Sequence, residues 1–371
     1  MKAVIIGAGP AGLATAACLQ KVGVEVELLD RAQAVGDSWR RHYDCLHLHT
    51  SRGRSGLPGL KFPPRAGRYP GLSEVIAYLE DYASHHALAP QFGCEVTGVA
   101  RDGQGWCVTH DQGQSEAEIV VVATGINGAP RVPDWPGHFD GPVLHSSAYR
   151  NATPFKGGRV LVVGFGNSGG DIALDLANGG VSVDLSVRGP VNILPKQLFG
   201  IPITSYGMLT RVLGYRMADR LTAPVLRMAV GRPEDYGLQP MNKGPAAMVH
   251  EDERIPMIDV GALGAIKTGR ITVRPGVAAL EGGAVRFADG SAESYDAIIA
   301  AIGYTVDLRP LLGEDCAALD ARGHARISGA PTAEKGLYFC SLHVSPYGQL
   351  HATGQEAMAI ARHARTRTVP A

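Results

Sequence analysis

At 371 residues the chain exceeds the size at which a single core stops growing, so two domains, or one interrupted by another, are expected. Its 35 Lys and Arg balance 35 Asp and Glu, which argues against a nucleic-acid footprint or a polybasic membrane patch and leaves a small-molecule substrate as the expected partner. The six cysteines, at 18, 45, 94, 107, 316 and 340, make no CxxC or CxxxxC pair, so no disulfide framework, dithiol redox centre or metal site is expected. The N-terminal apolar run is short for a secretory leader, and no stretch offers about 18 uninterrupted apolar residues for a membrane helix. The reading is a cytoplasmic protein with no membrane or nucleic-acid partner, for which a homodimer stays open.

Residues 3–6 form a β-rich run that leads into Gly7, Gly9 and Gly12, then a small-residue helix with Ala11, Ala14, Ala16 and Ala17. In such a turn the first glycine permits the tight bend, the second lets backbone approach a pyrophosphate, and the third lets helix pack close to strand. The pyrophosphate would rest on the helix N-terminus. "VEVELLDR" then alternates as a strand, and Asp30 stands 18 residues beyond Gly12, where a carboxylate accepts from ribose hydroxyls unless it is merely a polar strand end. An amphipathic helix is predicted over 69–88, with Ser73 as cap and Val75, Ile76 and Leu79 on one face. Residues 94–125 read as a meander with turns at Asp102-Gly103 and Gln112-Gly113, ending in Ala123-Thr124-Gly125, where backbone can approach a ligand.

The fingerprint recurs in "GRVLVVGFGNSGGDIALDLANGG", with Gly164, Gly166 and Gly169 around Asn167 and Ser168, followed by "VSVDLSVR". Arg188 stands 24 residues after Gly164, as Asp30 stands 23 after Gly7, so the second site has a cation where the first has a carboxylate. A 2′-phosphate requires such a cation, which assigns NADPH to the second site; the alternative is a solvated charge at a strand end. A nicotinamide hydride needs a resident acceptor, so the first site is expected to hold FAD. Trp39 then either covers the flavin or belongs to the core. The Met-bearing segment 190–250 reads more readily as core than as substrate pocket. A second meander ends at Ala301 to Tyr304, and the C-terminal stretch gives a strand, a loop and a helix from near Ala352, with "RTRTVPA" as a frayed tail.

The fold class is therefore α/β, with two Rossmann-like dinucleotide-binding domains: an FAD domain of residues 1–150 and 305–371, and an NADPH domain of 151–304 inserted into it. The candidate FAD residues are Gly7, Gly9, Pro10, Ala11, Gly12, Asp30, Arg31, Trp39, Thr124, Gly125 and Gln355. The candidate NADPH residues are Gly164, Gly166, Asn167, Ser168, Gly169 and Arg188.

Two GxGxxG turns with "FDGPVLHSSAY" between them resemble the flavin-containing monooxygenases, whose identifying sequence is FxGxxxHxxx(Y/F): here Phe139, Gly141, His145 and Tyr149. The Baeyer–Villiger enzymes end a similar sequence in Trp followed by Pro or Asp, where this chain has Tyr149-Arg150. "ATGINGAPRVP", "GFGNSGGDIALDL" and "IPMIDVGALGAIKTGRITV" look like the YUCCA branch, and the resemblance runs from residue 3 to about 360. It implies that NADPH reduces FAD, that O₂ as co-substrate adds to give a C4a-(hydro)peroxyflavin, and that one oxygen atom passes to a small organic substrate. N- or S-oxygenation or YUCCA-like oxidative decarboxylation of a 2-oxo acid is implied, with Baeyer–Villiger oxidation or an uncoupled oxidase producing H₂O₂ as alternatives. Such chemistry belongs to the cofactor and needs no catalytic triad or metal. His145 would act either as acid or base or as a setter of domain geometry, with Phe139 and Tyr149 packing the linker and Gly141 permitting its turn. The chain departs from the family in "LHLHTSR", where His49 or Thr50 replaces an Asn near the flavin C4a edge, and at Ile302, where Thr is usual.

Overall fold

The computed structural model describes residues 1–368 and divides into two compact units. The first comprises Met1–Arg40, Thr50–Ala129 and Tyr304–Ala371; the second comprises Arg41–His49 and Pro130–Gly303.

In the first unit β1 (Lys2–Ile6), α1 (Pro10–Lys21) and β2 (Glu25–Asp30) make the opening strand, helix and strand. α2 (Leu72–His85), the short β3 (Gln91–Phe92) and β4 (Ile119–Val122) follow. With the Leu337–Phe339 strand they form a parallel sheet in the order 337–339, β4, β1, β2, β3. All four residues of β4 are buried, as a strand covered on both faces must be. The antiparallel meander of Val96–Asp102, Gly105–His110 and Gly113–Ala117 has the two expected turns. The C-terminal helix, Gln349–Thr368, packs on α1.

The second unit repeats the plan. β5 (Val143–His145) precedes β6 (Arg159–Val163), α3 (Asn167–Asn178) and β7 (Ser182–Ser186); β8 (Ile271–Arg274) and β9 (Ala297–Ala300) complete a parallel sheet in the order β5, β9, β6, β7, β8. Both glycine turns are built alike. Gly7 has φ +103° and Gly164 has φ +104°. A Cβ on Gly12 would lie 1.7 Å from the Gly7 carbonyl oxygen, and one on Gly169 would lie 1.9 Å from that of Gly164. Strand and helix approach so closely that only hydrogen fits.

Several expectations need correction. The boundaries fall at Ala129 and Gly303 rather than at residues 150 and 304, because the linker packs into the second unit, and the excursion 41–49 was not foreseen. α2 is capped at Gly71, whose N–H donates to Glu74 at 2.8 Å, and Ser73 lies exposed inside the first turn. The C-terminal helix starts at Gln349, three residues before Ala352; residues 365–368 continue it, and 369–371 of the expected tail lie outside the described residues. Segment 190–250 is not chiefly core. Its helix Tyr215–Val230 buries only Ala218, while Met217, Leu221 and Met228 are exposed.

Gly12→Ala and Gly169→Ala should each cost about 3 kcal/mol or more, since the clash is with backbone that cannot rotate away. Gly9→Ala and Gly166→Ala, where nothing lies within 4 Å of an added Cβ, should cost less than about 1 kcal/mol. Urea unfolding followed by circular dichroism measures all four; equal losses would refute the account.

Candidate functional site

The first cradle is the loop between β1 and α1. Pro10 occupies the first turn of α1, where its missing N–H costs nothing, and Ala11 is buried beneath it. Asp30 closes β2 and accepts from Ala8 N–H at 2.5 Å and Ala32 N–H at 2.8 Å. A carboxylate has about four acceptor positions, so capacity remains for a ligand hydroxyl. Gly7 packs against the Ala123 carbonyl, which brings the exposed Thr124 and the open Gly125 beside the same loop. Arg31 points outward, 3.6 Å from Glu95. Trp39 is half-buried and lies outside the core, and Gln355 is exposed on the C-terminal helix.

In the second cradle Asn167 accepts from Ile258 N–H at 2.7 Å, pinning the start of α3 to the 256–258 stretch, with Ser168 beside it. Arg188 is exposed just past β7, its stem lying over Gly276. Gly9 and Gly166 are informative in both loops. Their φ values, −72° and −91°, are open to any residue, and nothing in the chain crowds their Cβ positions. Glycine there serves an approach from outside, at a helix N-terminus with free N–H groups, and this fits a pyrophosphate.

The four linker residues converge within the second unit. Phe139 is buried with Leu161, Val163, Phe287 and Ile298. A Cβ on Gly141 would lie 2.6 Å from the Asp296 carbonyl and 2.8 Å from the Phe139 ring, so this glycine serves close approach and not the turn expected of it. His145 accepts Ser147 N–H at Nδ1, 3.1 Å, and therefore donates from Nε2 to the Gly303 carbonyl, 3.0 Å. That carbonyl also accepts Arg131 N–H at 3.1 Å, so both ends of the inserted segment meet at one oxygen. Tyr149 is buried and donates to Asp175 on α3 at 2.6 Å.

Of the two candidates for the flavin edge, His49 falls in the second unit and Thr50 in the first. Thr50 is buried and hydrogen-bonded to Ser55 at 2.7 Å. His49 lines a cavity of about 120 Å³ in the second unit with Cys45, His47, Asp171, Asp175 and Lys196. The Tyr43 hydroxyl, on the same excursion, donates to Asp171 at 2.8 Å. Spacing offered no sign of this cluster, although Asp171 and Asp175 stand one turn apart on α3. Burial pushes the Asp171 carboxyl up to about 6 against the pull of Tyr43 and Lys196. Burial, with Lys196 and His47, pushes the His49 imidazole down to about 4. His49 Nε2 lies 3.9 Å from Asp171, and with these values the two are not charged together at any pH.

A family model described as pyridine nucleotide-disulphide oxidoreductase matches residues 4–196. The six cysteines are nevertheless free. An indole-3-pyruvate monooxygenase, YUCCA1 of Oryza sativa subsp. japonica, is 40% identical over 309 residues, 81% of this chain and 76% of the relative. A probable indole-3-pyruvate monooxygenase, YUCCA1 of Arabidopsis thaliana, is 36% identical over 90% of this chain and 83% of its own. Among solved structures, the flavin-containing monooxygenase from Stenotrophomonas maltophilia matches with a TM-score of 0.70 at 23% identity, over 99% of this chain and 97% of that one. A cyclohexanone monooxygenase matches at 0.73 and 19%, over 98% and 88%. At these identities the two structures speak for the fold.

The opposed shifts give a pH test. With its native value raised from 3.8 to about 6, Asp171 holds more protons folded than unfolded, so its contribution to stability falls as pH rises between these values. His49, lowered from 6.5 to about 4, holds fewer, so its contribution rises across that window. The two largely cancel in the native chain. Asp171→Asn should leave the His49 slope alone, so the urea midpoint climbs from pH 4 to 6.5 more steeply than in the native chain. Parallel curves would refute the assignment.

Proposed function

The chain belongs to the flavin-containing monooxygenases, on their YUCCA-like branch, and is a flavin-dependent, NADPH-using monooxygenase; from that premise we propose that it oxidatively decarboxylates a small 2-oxo acid. The observation that carries this reading is the 40% identity, over 81% of the chain, to a relative named for indole-3-pyruvate. The overall change is RCOCOOH + O₂ + NADPH + H⁺ → RCOOH + CO₂ + H₂O + NADP⁺.

In this reading FAD occupies the first cradle and NADPH the second. Reduced flavin, when bound, supplies the electrons that activate O₂. The chain's own part is to bind and orient. The open faces of Gly9 and Gly166 and the N-terminal N–H groups of α1 and α3 receive the two pyrophosphates. Asp30 takes an adenosine ribose hydroxyl, supported by Thr124 and Gly125. The Arg188 guanidinium takes the 2′-phosphate by charge-assisted bonds. His145, with both nitrogens committed to Ser147 and Gly303, acts as a positioning residue.

Anaerobic NADPH should bleach the flavin of the purified protein. On admission of O₂, an aryl-substituted 2-oxo acid should yield the acid one carbon shorter, with NADPH consumed in step. H₂O₂ matching NADPH in the presence of every 2-oxo acid tried would instead establish an oxidase. Product from thioethers or amines but not 2-oxo acids would move the reading to S- or N-oxygenation, and a lactone or ester from a ketone would move it to Baeyer–Villiger chemistry. Arg188→Ala should raise KM for NADPH by about 10-fold or more while leaving that for NADH within about twofold. Equal effects on both would remove Arg188 from the 2′-phosphate.

A further inference from the structure

Among residues assigned to neither cradle, one ligand atom each from Cys94, His110 and Asp111 lies within 4.8 Å of the other two. Cys94 follows β3 and is buried; His110 ends the middle strand of the meander, and Asp111 is the next residue, exposed at the turn. Pairing between Glu95 and Asp111, at 3.0 Å in both directions, holds the two segments in register.

The hydrogen bonds around His110 fix its tautomer. Ser115 Oγ donates its proton to Glu27 Oε1 at 2.7 Å, so toward His110 Nε2, 3.3 Å away, it can only accept. Nε2 therefore carries the ring proton, and Nδ1 keeps a lone pair. That Nδ1 is buried and has no hydrogen-bond partner. A buried acceptor left unpaired is destabilising unless something pairs it. An imidazole whose other nitrogen donates through a hydroxyl toward a carboxylate is the arrangement that holds a histidine on a metal. Lys2, 2.7 Å from Glu27, anchors the far end of the relay.

We propose that Cys94 Sγ, His110 Nδ1 and an Asp111 carboxylate oxygen form a three-ligand site for a borderline-soft divalent cation, for which Zn²⁺ is the best fit. Thiolate with imidazole disfavours Mg²⁺ and Ca²⁺, and three protein ligands leave a fourth position, on the exposed Asp111 side, for water. Ligand atoms of a tetrahedral zinc stand roughly 3.5 Å apart, a contraction of about an ångström that side-chain rotation supplies. Cys94 would bind as its thiolate, so coordination releases a proton and tightens as pH rises. The ion would tie β3 to the meander next to Asp30, whose carbonyl accepts Cys94 N–H at 3.0 Å.

The test uses the full chain with its flavin, stripped with a chelator and titrated with Co²⁺. One equivalent should give the intense d–d bands of tetrahedral, thiolate-ligated cobalt to the red of flavin absorption, and Zn²⁺ should abolish them while raising the thermal midpoint. Cys94→Ser should remove the bands and weaken Zn²⁺ by about 100-fold or more; Asp111→Asn, at an exposed position that should not disturb folding, and Ser115→Ala should each weaken it by about 10-fold. His138→Ala, at an exposed histidine of the other unit, should change nothing. Only pale octahedral bands in the native chain, or zinc affinity in Asp111→Asn and Ser115→Ala unchanged from that of the native chain, would overturn the site.

Discussion

The architecture depends on one contact made twice: the Cα of a helix glycine against the carbonyl of the strand-end glycine five residues earlier. Gly12 against Gly7 and Gly169 against Gly164 bring helix and strand nearer than any side chain allows. That closeness aims the helix N-terminus past the sheet edge. The neighbouring glycines, Gly9 and Gly166, are under no such pressure from the chain, which leaves their faces open to the phosphates proposed for the two turns. Within a single six-residue motif, folding and binding therefore assign glycine for separate reasons.

This division explains what the sequence made legible. Both cradles, Asp30 and Arg188 follow a local spacing set by strand, turn and helix, and local spacing is what a sequence displays. Linker geometry was half legible. The motif marked Phe139, Gly141, His145 and Tyr149 as special, yet their partners, Asp296, Gly303 and Asp175, stand 26 to 158 residues away. Hidden altogether were the excursion 41–49 and its Tyr43–Asp171 bond, because the pairing joins residues 128 apart with no shared pattern. The expectation for 190–250 failed for another reason: periodic Met and Leu define an apolar face but not what covers it.

His145 illustrates how a motif histidine can be tied into the fold through both ring nitrogens. A histidine in a family signature suggests proton transfer, but both of its nitrogens are committed, one to Ser147 and one to Gly303. Since the Gly303 carbonyl also accepts Arg131 N–H, the points where the chain enters and leaves the second unit are fastened together. The signature histidine thus sits where the two ends of the inserted segment meet.

The excursion of residues 41–49 bears on how such a molecule is made and how it can be divided. The second unit is not a contiguous stretch: Tyr43 sits in its core, so a fragment cut at 130 and 303 would leave a hole there and strip Asp171 of its hydroxyl partner. During synthesis, residues 41–49 leave the ribosome long before α3 exists to receive them, and the first sheet must wait for Leu337–Phe339 to fill its edge. Neither half can finish early. The two nucleotide units, alike enough to suggest interchangeable modules, are interlaced along the chain and inherit or lose their folding together.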